Sequence, residues 1–156
     1  MIDVDLYQAK KLYPFQEETV NIILDELSSN GNNFNLLYQL PTGGGKTVIF
    51  SEIGRKYIET WKKKVLILTH RIELSVQTSK QLSAIGVANK VINSEVKDLP
   101  DQDEYHCFIA MVETLHNRLI DDQDFIKNVG LVIVDEAHYN SFRKIFQYYE
   151  NCNILG

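Results

Sequence analysis

Apolar residues along this chain recur in two modes, at helical spacing over long stretches and in short unbroken runs. The first periodic stretch covers residues 15–27, with apolar positions three and four apart and Pro14 at its opening, and it predicts a helix. Residues 28–33 are turn formers that end the helix and lead to an apolar run at 34–40, read as the first strand. A helix is predicted from about Lys46 to Trp61. A buried strand at 65–69 and a helix over roughly 72–85 follow. Residues 87–92 read as a short strand, and the acidic stretch 95–104 as an exposed loop. A strand at 107–111, a helix running through 114–119 and a further apolar run at 131–134 complete the pattern. Continuous apolar strands alternating with helices predict an α/β fold, a mostly parallel sheet with helices on both faces.

Composition narrows the class. At 156 residues the chain suits one domain of ordinary size. Its formal net charge of −5 supplies no global positive field, so nucleic acid would have to be held by local groups. Cys107 and Cys152 have no metal-ligand spacing and form no disulfide framework, which predicts two buried thiols in a reducing, cytoplasmic setting. His70, His106 and His116 share no metal-binding spacing. No signal sequence opens the chain and no apolar run reaches membrane-spanning length, so a soluble protein without membrane contact is expected.

Two stretches carry chemistry. Leu40-Pro41-Thr42-Gly43-Gly44-Gly45-Lys46-Thr47 joins the first predicted strand to the following helix. Three successive glycines let backbone N–H groups close around a polyphosphate together with the positive end of the helix. Lys46 adds a cation and Thr47 a hydroxyl for magnesium. The second stretch, Asp135-Glu136-Ala137-His138, follows the apolar run at 131–134, so two acids stand at the carboxyl end of a strand, where parallel sheets place their ligands. Asp135 is placed to reach magnesium, and Glu136 to polarise the water that attacks a γ-phosphate. Together the two stretches predict a site for nucleoside triphosphate and magnesium on one rim of the sheet.

Residues 41–47 and 135–138 resemble the first and second motifs of superfamily-two helicases and translocases of the DEAD/DEAH-box type. The resemblance spans nearly the whole chain and implies an N-terminal RecA-like P-loop NTPase domain over 1–156, bound by ATP and Mg2+, within a longer two-domain motor. Phe15-Gln16 is similar to the pair that recognises adenine, which implies a base contact for Gln16. Thr69-His70-Arg71-Ile72-Glu73-Leu74 resembles a strand-contacting motif, and its geometry agrees: Arg71 follows the end of the second strand and is placed to meet a phosphate. Ala110-Met111-Val112-Glu113-Thr114-Leu115 is similar to the motif that adds Thr114 as a phosphate contact.

His138 is implied to link the nucleotide site to the facing domain. Residues 151–156 resemble the strand that precedes the motif coupling hydrolysis to movement, so a second RecA-like domain is expected as a partner. The function implied is an ATP-dependent helicase or translocase on nucleic acid, DNA before RNA, that this stretch alone would run poorly. A nucleotide-gated clamp or a restriction-modification translocase subunit is the alternative. Lys62-Lys63-Lys64 precedes its strand and is read as a solvated face on the opposite rim.

Overall fold

The computed structural model describes residues 14–30, 35–36, 46–134, 144–149 and 152–155. Their elements run α1 (Pro14–Asn30), β1 (Asn35–Leu36), α2 (Lys46–Trp61), β2 (Lys64–Thr69), α3 (Ile72–Ala84), β3 (Asn89–Ile92), β4 (Cys107–Met111), α4 (Val112–Asp121), β5 (Val129–Val134) and β6 (Asn153–Leu155). The strands form one sheet in the order β1-β6-β5-β2-β4-β3, and every neighbouring pair is parallel. The expected α/β architecture is therefore the observed one. Unbroken apolar strands are explained by this layout, because a parallel sheet is covered on both faces and both side-chain sets must be apolar.

Side-chain alternation along each strand divides the interior into two cores. Leu66, Leu68, Phe108, Ala110, Val132, Val134 and Ile154 face one way and meet Val112, Leu115 and Leu119 of α4, with Phe125, Ile145 and Tyr149. Val65, Ile67, Cys107, Ile109, Leu131, Ile133 and Leu155 face the other way, under α1 (Val20, Ile23, Leu27), α2 (Ile49, Phe50, Ile53, Tyr57) and Leu82 of α3. Full burial of a side chain such as Leu66 or Phe108 contributes about 1.5–3 kcal/mol. Both cysteines are buried and unpaired, as expected. Burial pushes the Cys107 thiol far up and the Cys152 thiol up to about 11, and Cys152 Sγ donates to the Val129 carbonyl at 2.8 Å.

Two expectations need correction. Lys64 is not part of a solvated face: its side chain is 7% exposed, and its ammonium reaches Asp103 at 2.9 Å and Gln102 at 3.2 Å. The stem of a lysine can follow an apolar surface while its charged tip finds a partner, and here Nζ stands 6.0 Å from the centre of the Phe108 ring. Residues 95–104 are likewise not simply an exposed loop. Leu99 is buried in the α4-side core, and Gln102 Oε1 accepts from Lys64 Nζ and from the Lys127 backbone, while Gln102 Nε2 donates to the Phe125 carbonyl. One side chain thereby fastens the loop to the start of β2 and to the turn before β5. Smaller differences concern ends: α1 continues through Ser28 and Ser29 to Asn30, and β3 begins at Asn89 rather than 87.

Candidate nucleotide and nucleic-acid site

Helix α2 starts at Lys46, directly after the glycine stretch, as predicted. Its buried face, Ile49, Phe50, Ile53 and Tyr57, seats it against the sheet, so the direction of its amino end is set by packing. No acidic residue stands in its first turn. The partial positive charge of that end is thus left for an external anion, and Thr47, half-buried in the same turn, brings a hydroxyl. One turn on, Ser51 is fully buried with no hydrogen-bond partner for its hydroxyl among the described residues. Helix α1 packs on α2, and Gln16, 4% exposed, lies on the buried face of α1 with Val20, Ile23 and Leu27. A glutamine sheltered near the helix that follows the glycine stretch fits contact with a base. The unopposed helix end and the Thr47 hydroxyl fit a polyphosphate with magnesium.

The carboxyl rim collects the other motifs. Leu68 is in register with Val134, and Thr69 with Met111, so the chain leaves β5, β2 and β4 side by side. Asp135 is the residue after Val134. Arg71 caps α3 and is exposed, its backbone N–H donating to Thr69 Oγ1 at 3.2 Å and its carbonyl accepting from the Ser75 N–H. Thr114 sits half-buried in the first turn of α4. The structure therefore brings Arg71 and Thr114 to one rim, with Lys62 and Lys63 on the opposite one, before β2. Thr42, Gly43, Gly44, Gly45, Asp135, Glu136 and His138 lie outside the described residues, and of Lys46 only the backbone is described.

Sequence reasoning missed two contacts of α4. Lys144 Nζ donates to Glu113 Oε1 at 2.6 Å, tying the segment after the acidic motif to the first turn of α4. The Arg118 guanidinium donates to the carbonyls of Val96 and Ser94 at 2.8 and 2.9 Å, holding the chain after β3 against α4. Arg118 carried a weak signal, a basic residue in the last turn of a helix, whereas Lys144 carried none.

A family model described as "Type III restriction enzyme, res subunit" matches residues 9–156. The chain belongs to the ResIII family. Among individual proteins, this ResIII chain is 31% identical over 153 residues to the Saccharomyces cerevisiae protein named "Putative ATP-dependent helicase IRC3", covering 92% of this chain and 22% of that one. It is 28% identical over 145 residues to the ATP-dependent DNA helicase mph1 of Neurospora crassa, covering 87% and 12%. The ResIII chain thus spans about a fifth or less of the length of these two relatives. Its fold is similar to that of T4 UvsW, with a TM-score of 0.69 at 20% identity over 99% of this chain and 34% of that one. A DNA-bound type ISP restriction-modification enzyme, LlaGI, matches with a TM-score of 0.66 at 15% identity, over 94% of this chain and 17% of that one. The resemblance drawn from the motifs holds: this is a helicase-family domain with the RecA-like α/β fold.

Proposed function

We propose that the ResIII chain is the ATP-binding RecA-like domain, residues 1–156, of a longer ATP-driven motor on nucleic acid, with DNA the preferred track. One observation carries the reading: α2 begins straight after the glycine stretch with no acid in its first turn, and β5 ends at the residue before Asp135-Glu136 beside β2. In this reading backbone N–H groups of residues 42–45 and the Lys46 ammonium hold the phosphates, Gln16 meets the base, and Thr47 and Asp135 hold magnesium. Bound magnesium would supply charge neutralisation at the phosphate oxygens. Glu136 orients and polarises the attacking water by accepting its proton, and His138 relays the state of the site to the facing domain. Arg71 and Thr114 take backbone phosphates of the strand.

DNA is favoured because relatives and fold neighbours include a named DNA helicase and DNA-bound restriction-modification enzymes. Those same restriction-modification neighbours support a second reading, a translocase subunit that moves without separating strands. The deciding experiment is calorimetric titration with Mg·ATP. Lys46→Ala is expected to weaken binding by about 1.5–3 kcal/mol, the cost of a lost charged phosphate contact. Equal affinities would remove the nucleotide role.

A further inference from the structure

β5, β2 and β4 are consecutive in the sheet, so the segments leaving their carboxyl ends are neighbours. His70 leaves β2, Glu113 enters α4 straight after β4, and Lys144 lies beyond β5 on the helical turn at 144–146. Lys144 and Glu113 form an ion pair at 2.6 Å. The Lys144 hydrogen bond holds the Glu113 carboxyl below the usual carboxylate range, against an opposing effect of burial and with smaller help from the charges around it, Lys144 first. Glu113 thus accepts from Lys144, with His116 one turn along its own helix and His70 directly after β2. The carboxylate side chain is 71% exposed and the lysine 34%, so a dissolved anion can reach both.

Such a pair contributes little to the fold, because water screens it and two long side chains must be held still. A carboxylate oxygen and a phosphodiester oxygen also make the same charge-assisted bond to an ammonium. We propose that Lys144 forms a phosphate subsite for a nucleic-acid strand, and that Glu113 occupies this subsite when no strand is bound. The inference rests on the nucleic-acid reading above and adds Lys144, which lies outside every motif used for it.

The test is fluorescence anisotropy of a labelled oligo(dT) strand with the chain and its variants at two salt concentrations. Glu113→Gln empties the subsite of its resident carboxylate and is expected to tighten binding about two- to fivefold, the range an exposed charge pair supports. Lys144→Gln should weaken binding by a similar factor and lower the log-log salt slope by about 0.7, one phosphate contact on a single strand. In the Lys144→Gln background, Glu113→Gln should have much less effect, the signature of two groups acting through one contact. Both side chains face solvent, so matching thermal melts are expected and serve as the folding control. Unchanged or weaker binding by Glu113→Gln, or indifference to Lys144→Gln, overturns the subsite. If Arg71→Ala still weakens binding in that case, the nucleic-acid reading survives alone; if the parent chain binds no strand, both fall.

Discussion

A β-carbon placed on Gly130, within β5, would stand 2.3 Å from the Tyr57 hydroxyl oxygen and 2.8 Å from Lys63 Cδ. The lysine stem has room to swing aside. Tyr57 does not, because it is 2% exposed and its ring stacks on Trp61 at 4.5 Å between centroids. Gly130→Ala is therefore expected to destabilise by about 1–3 kcal/mol, the usual result of overfilling a packed site. Adding Tyr57→Phe should recover part of the loss, read as a shift of the urea midpoint at constant slope. Burial pushes the Tyr57 hydroxyl up to about 12, so it stays protonated across the ordinary range and the pair of variants reports packing rather than charge. None of this was legible in the sequence, where Gly130 is one small residue just before an apolar run. Lys64 was misread for a related reason: three adjacent lysines look like one solvated unit, yet the strand begins at the third and draws its stem inward.

Elements with a dense period were legible almost to the residue. Helix α2 runs Lys46–Trp61 and β4 runs Cys107–Met111, as their patterns predict, because each buries enough apolar side chains to decide its own conformation. The stretch 95–104 was not, since it is anchored by the buried Leu99 with Val96 packed at the edge of the same core, and by side-chain bonds of Gln102 to partners distant in sequence. The connections that start strands hold a different feature. Lys62, before β2, and Asn128, before β5, have φ of 58° and 60°, and the Lys64 N–H donates to the Asn128 carbonyl at 2.9 Å. Asparagine tolerates that left-handed region better than lysine. Lys62→Gly is expected to stabilise by about 0.5–1 kcal/mol and Lys62→Val to destabilise, and thermal melts of the two will rank them on either side of the parent.

For the whole molecule, the candidate nucleotide motifs could be proposed from the sequence because each is contiguous in it, whereas the Lys144–Glu113 pair exists only once β5, β2 and β4 lie side by side. In the reading proposed above, catalysis needs a second RecA-like domain. When this domain is carried with a second RecA-like domain, Glu136→Gln is expected to leave Mg·ATP affinity nearly intact while lowering turnover about a hundredfold or more. A steady-state assay beside a binding titration separates the two, and near-normal turnover would take Glu136 out of the mechanism. The strand order also governs how the protein is made. Asn35 of β1 is in register with Ile154 of β6, and the described sheet gives β1 no other neighbour. During synthesis β1 must wait on the order of ten seconds for the strand that will hold it. Throughout that interval β1 has no partner among the described strands, which leaves the nascent chain dependent on whatever shields its open edge.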